Sequence, residues 1–116
     1  MSAKNYKTQN LNYDIAGGST EFEAFPFTGD NALIMQIFHT GLATSDHVIT
    51  LQHSLDEINY ADAKDSTGAV IDVTINKGVA TATLSAYGWT GRSIRAKLTV
   101  GTPGLGTITK IEYMMQ

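Results

Sequence analysis

Apolar and polar residues alternate without a break from Ser93 to Val100. Successive side chains of a strand point to opposite faces, so Ile94, Ala96, Leu98 and Val100 are expected to face a core. Arg95, Lys97 and Thr99 then face out. A helix would scatter the same residues around its axis. Val70 to Asn76 alternates in the same way, with Ile71, Val73 and Ile75 on one face. Asn76, Lys77 and Gly78 follow, then Val79 to Leu84. Asn and Gly tolerate the positive φ of tight turns, so Ala69 to Ala86 reads as a β-hairpin. His47 to His53 is another alternating run rich in β-branched residues. Ala32 to His39 is apolar on both faces, which predicts a central strand buried on both sides. Gly29 and Asp30 before it and Gly41 after it favour a strand over a short buried helix. Gly106 to Met115 closes the pattern, with Ile111, Tyr113 and Met115 on one face. Near the start, Asn10 to Ile15 and Thr20 to Phe27 flank a turn at Gly17, Gly18 and Ser19.

Roughly eight strands at intervals of about 8–15 residues are the mark of a sandwich or barrel. The expected fold is all-β: an antiparallel β-sandwich, jelly-roll-like or Ig-like. No long amphipathic helix interrupts the strands, which argues against βαβ architecture. A single turn around Ser54 to Tyr60 is the one helical candidate. Residues 1–10 are polar and weakly patterned and read as an N-terminal arm. Residues 11–116 read as a single sandwich domain. No apolar run approaches the roughly 20 residues that span a bilayer, and the N-terminal stretch lacks the charged start and apolar run of a signal peptide. Synthesis in the cytoplasm, or else earlier removal of a leader segment, and no membrane partner are therefore expected.

Composition narrows the function classes. A chain of 116 residues fits one domain with one core. The absence of cysteine removes disulfides and thiolate metal sites. A net charge of −3, with scattered Lys and Arg, lacks the concentrated basic face that nucleic acid requires. Eleven glycines and only 16% charged residues fit a turn-rich sheet protein.

Candidate chemistry is sparse. His47 and His53 share a strand face but stand roughly 20 Å apart, too far to share an ion. His39 on a neighbouring strand, with Asp46, Asp56 and Glu57 near in sequence, does not make a recognisable set of about four zinc ligands. The histidines read as strand-edge or hydrogen-bonded residues, and no metal or cofactor is expected. No G-x-S-x-G elbow and no diagnosable carboxylate pair is present, so no catalytic residue is assigned. Gly101 to Gly106 lacks the lysine and following helix of a phosphate loop and reads as a hairpin turn. The acids between Leu55 and Thr67 lack calcium-loop spacing and read as a solvated loop. One segment, Tyr87 to Arg92, leaves three readings open. Trp89 can plug the end of the sandwich. Tyr87, Trp89 and Arg92 can instead contact a protein partner, since these residue types are enriched at binding hot spots. They can also form a stacking platform for a glycan.

Ser54-Leu55-Asp56-Glu57-Ile58-Asn59-Tyr60, after a strand ending in Ile49 to His53, resembles the S-x-D-G-x-x-W/Y turn of small β-sandwich modules in tailed-phage structural proteins. Ser93 to Thr99 and the Gly-rich Gly101 to Ile108 stand where those modules carry a later strand and a hairpin into the last strand. The resemblance runs from about Gly29 to Met114. It departs at Glu57, where Gly is usual, and at Tyr60, where Trp is common. In this pattern Ser54, Asp56 and Tyr60 form a structural turn: Asp56 caps it by accepting backbone N–H groups, and Tyr60 packs beneath.

The resemblance implies a non-enzymatic virion component, either an auxiliary or decoration protein on the capsid surface or a head-fibre subunit. Its partners would be the major capsid protein or other virion subunits. The alternative is a glycan-binding sandwich, motivated by Tyr87, Trp89 and Arg92. A small hydrolase with a spatially assembled site ranks last. The two apolar faces of Ala32 to His39 add an expectation of self-association, one face meeting another subunit.

Overall fold

The computed structural model describes residues 5–28, 32–87 and 91–116. Among the described residues ten strands are formed: β1 (Asn5–Asp14), β2 (Thr20–Glu21), β3 (Phe25–Pro26), β4 (Ala32–Thr40), β5 (His47–Ser54), β6 (Ala61–Asp62), β7 (Asp72–Ile75), β8 (Thr81–Tyr87), β9 (Ser93–Thr99) and β10 (Thr107–Met115). All pairings are antiparallel. One sheet has the order β1-β10-β4-β8. In the other, β2 and β3 lie in succession along one edge of β9, β9 pairs with β5, and β6 and β7 share the far edge of β5. Each sheet is thus four positions wide. Counting the two broken edges as one strand each, eight strands are distributed between two facing sheets in the interleaved order of a jelly roll.

The alternation read from the sequence is the alternation of burial. Ile94, Ala96 and Leu98 are fully buried between the sheets, Thr99 is exposed, and Val100 is half-buried at the strand end. Ile71 and Ile75 face the core, as do Ile111, Tyr113 and Met115. A bulge in β10 between Ile108 and Lys110 resets the parity, so Ile108 and Ile111 both point inward. The extra residue, Thr109, donates its hydroxyl to the Phe38 carbonyl at 3.0 Å. A matching irregularity in β1 falls between Asn10 and Tyr13, where Asn12 has φ +51°.

Five expectations change. Residues 5–10, read as an arm, belong to β1 and pair with β10 from Asn5↔Met115 to Asn10↔Lys110. Their polar character suits an edge strand whose outer face meets solvent. Ala69 to Ala86 is not a hairpin: β7 pairs with β5 and β8 with β4, in opposite sheets. The tight turn is there, with Gly78 at φ +84°, but it serves as a corner between sheets. Gly101 to Gly106 is also a corner, since β9 and β10 lie in different sheets. Finally, β4 is central, between β10 and β8, but only Leu33, Met35, Ile37 and His39 are buried. Ala32, Ile34, Gln36 and Phe38 are half-exposed on the outer face. Ser54 to Tyr60 contains no helix; a short 3-10 turn is found at Ile15–Gly17 instead.

Candidate functional site

The turn after β5 is closed by its own side chains. The Ser54 hydroxyl oxygen accepts the N–H groups of Asp56 (3.2 Å) and Glu57 (2.9 Å). It donates its proton to Asp56 Oδ1 at 2.8 Å. The same Oδ1 accepts the N–H groups of Ile58 (2.9 Å) and Asn59 (2.8 Å), and Oδ2 accepts the Asn59 side-chain amide at 2.7 Å. These donors, led by the backbone N–H of Asn59, hold the Asp56 carboxyl well below the usual carboxylate range. The price of so tight a turn falls on Glu57, whose φ is +64°. Side chains with a Cβ rarely adopt that conformation.

Tyr60 returns the chain to the second sheet. Ser93 donates its hydroxyl proton to the Phe25 carbonyl at 3.2 Å, so the Tyr60 hydroxyl is the donor in its 2.8 Å contact with Ser93 Oγ. The Arg95 guanidinium lies 4.2 Å from the centre of the Tyr60 ring, a cation–π stack. Arg95 Nε donates to Gln52 Oε1 (2.8 Å), and Gln52 Nε2 donates to Asp62 Oδ1 (2.9 Å). Ser54, Asp56 and Tyr60 are therefore brought together, and each of their polar contacts shapes the corner. A hollow of about 300 Å³ opens beside them, bordered by His53, Leu55, Asn59 and Ala61. Leu55 and Ile58 project from the turn at 59% and 80% exposure.

The segment from Tyr87 to Arg92 meets this corner at Gly91. The Gly91 N–H donates to His53 Nδ1 at 3.0 Å, and a Cβ on Gly91 would stand 2.6 Å from the Ser54 carbonyl oxygen. Arg92 is exposed. Trp89 lies outside the described residues, and of Tyr87 the backbone pairs with Ala32.

A second lock sits at the other end of β5. Asp46 Oδ2 accepts the N–H and hydroxyl of Thr102 at 2.8 and 2.6 Å, and Oδ1 accepts the Thr44 hydroxyl. Gly101 N–H donates to His47 Nδ1 at 3.3 Å, which leaves the proton on Nε2, 3.2 Å from the Thr44 hydroxyl. The Thr102 and Thr44 hydroxyls hold the Asp46 carboxyl below its ordinary range. A carboxylate seated against the Gly101 loop is the wrong charge for a phosphate cradle. Asp65 similarly binds the Thr67 and Ala69 N–H groups of its own turn.

His47 and His53 stand near opposite ends of β5, as their spacing implied, whereas His39, expected on a neighbouring strand, lies on β4 in the other sheet. Among the described residues, no three His, Asp or Glu side chains converge as metal ligands. His39 is buried and its Nε2 has no hydrogen-bond partner among the described residues; burial lowers its pKa. Sequence reasoning passed over this orphaned nitrogen and the outward display of Leu55 and Ile58. The signal for the latter was two aliphatic residues inside an otherwise polar turn.

No family model and no curated protein matches the chain. Among solved structures it is similar to a subunit from the Bacillus endospore appendages described as a novel family of disulfide-linked pili. The TM-score is 0.55 at 12% identity, over 100% of this chain and 90% of the other. At that identity the likeness is one of fold.

Proposed function

We propose that this chain is a non-enzymatic structural subunit that works by packing against other protein subunits. The observation that carries the reading is the outer face of the first sheet. The register aligns Tyr6, Met114 and Ile34 in one row across β1, β10 and β4. Tyr6 is 73% exposed, and Ile34 and Met114 are half-exposed beside it. Such a contiguous apolar row suits burial against another subunit, whether a second copy or a different protein. The acids and hydroxyls that chemistry would need, Asp46, Asp56, Asp65 and Ser54, are instead engaged in closing turns.

The finer reading is a bacteriophage virion component, an auxiliary or decoration protein on the capsid or a head-fibre subunit, with the major capsid protein as partner. Its support is the resemblance at Ser54, Asp56 and Tyr60 together with a jelly-roll architecture, which capsid proteins commonly use. The similarity in fold to a pilus subunit is compatible with the broader structural role. Mass spectrometry of purified virions from cells making this protein tests the finer reading. The chain is expected in mature particles at a fixed ratio to the major capsid protein, and its absence from them overturns the assignment.

A further inference from the structure

The two ends of β5 carry features of opposite shape. At one end the Ser54–Tyr60 turn holds Ile58 and Leu55 out into solvent on a backbone fixed by the Ser54 and Asp56 hydrogen bonds. At the other end, a hollow of about 260 Å³ lies between the chain leaving β4 and the corner from β7 to β8. His39, Leu42, Gly78 and Val79 border it, and Val79 is 54% exposed. The ladder places the hollow beside the start of β5, since His47 pairs with Ile75 and Lys77 N–H donates to Ser45 Oγ. The knob follows Ser54, so the two lie roughly 23 Å apart at about 3.3 Å per strand residue.

We infer that the apolar knob at Leu55 and Ile58 seats in the hollow beside Val79 of a second copy, joining copies end to end. The charges agree with this occupant. Glu57 precedes Ile58 on the knob and Lys77 precedes the Gly78–Val79 rim, and both are exposed. A knob on a turn already closed by its own hydrogen bonds loses little conformational freedom on docking. The contact is heterologous: each copy keeps a free knob at one end and a free hollow at the other, so association extends rather than closing as a pair. This rests on, and deepens, the reading of the chain as an assembling subunit.

Complementing variants test it. Ile58→Asp and Val79→Asp each alter an exposed side chain and leave the core intact. By analytical ultracentrifugation at millimolar concentration, the parent protein is expected to form linear oligomers that shorten as salt is added. Each variant alone should remain a monomer, with association weakened at least about tenfold. An equal mixture should give dimers that grow no further, because one variant retains a sound hollow and the other a sound knob. A monomeric parent protein overturns the inference, as does either variant oligomerising like the parent, or a mixture that stays monomeric. Absence of the chain from virions with these dimers present would remove the virion reading and leave this one standing. Presence in virions with a monomeric parent would do the reverse.

Discussion

The Tyr113 hydroxyl donates to Gln9 Oε1 at 2.8 Å inside the sandwich, and Gln9 Nε2 donates in turn to the Glu23 carbonyl at 2.7 Å. A polar side chain on the edge strand β1 thereby ties the core of one sheet to the segment between β2 and β3 beside the other. Burial pushes the Tyr113 hydroxyl well above its ordinary pKa, which favours its protonated, donating form. Tyr113→Phe keeps the edge-on contact with Phe25 (ring centres 4.6 Å apart) but leaves Gln9 Oε1 without its donor. The expected loss is about 1–3 kcal/mol in urea unfolding. A loss below about 0.5 kcal/mol would mean that water replaces the bond.

Two glycines in one loop should behave differently. A Cβ at Gly101 would lie 2.5 Å from the Asp46 carbonyl oxygen, whereas at Gly104 its nearest neighbour is Ala43 Cβ at 3.5 Å. Gly101→Ala should therefore cost about 2 kcal/mol or more, and Gly104→Ala little. Equal thermal midpoints for the two variants would refute the close approach.

Glu57→Gly should stabilise the protein. It relieves a left-handed residue, worth about 1–2 kcal/mol, against roughly 0.5–1 kcal/mol of added freedom in the unfolded chain. The expected net gain is up to about 1 kcal/mol in denaturant melts, and Glu57→Ala should show none of it.

Stability should fall with pH in two windows. His39 ordinarily titrates near pH 6.5 and is lowered by burial in the fold. Between its folded and unfolded values the unfolded chain holds the extra proton, so stability declines as pH drops below about 6.5. Asp46, Asp56 and Asp65 are depressed by their hydrogen bonds. Their contribution is present above about pH 4 and is lost as pH falls through their folded values. His39→Leu should flatten the first window and leave the second. An unchanged slope between pH 6.5 and 5 would contradict a buried neutral imidazole.

Strand positions were legible because burial on one face imprints a period of two, as Ile94, Ala96 and Leu98 illustrate. Strand partners were not. Gly78 marks a turn equally well whether the chain folds back beside itself or crosses to the other sheet, and only packing decides. Of the first strand only the half from Asn10 onward was legible; the half before it was not, because Gln9 fills a core position through hydrogen bonds rather than carbon, so no apolar periodicity marks it. At the turn, Ser54, Asp56 and Tyr60 were singled out through the resemblance; residue type alone left the segment as a helical candidate or a solvated loop, although short polar side chains do close turns locally. The strained Glu57 showed in the sequence only as a departure from glycine.

The placement of β10 between β1 and β4 sets a limit on how early this chain can mature. Residues 107–115, translated after the other described strands, fill an interior slot of their sheet, and among the described strands β1 has no sheet neighbour until they arrive. A ribosome that has not yet released residues 107–115 therefore carries only one complete sheet and an open gap in the other. Pairings so distant along the chain also make for slow closure. Until that slot is filled, β1 and β4 present unpaired edges to each other, so the last pairing to form is also the one that removes the sheet's exposed gap.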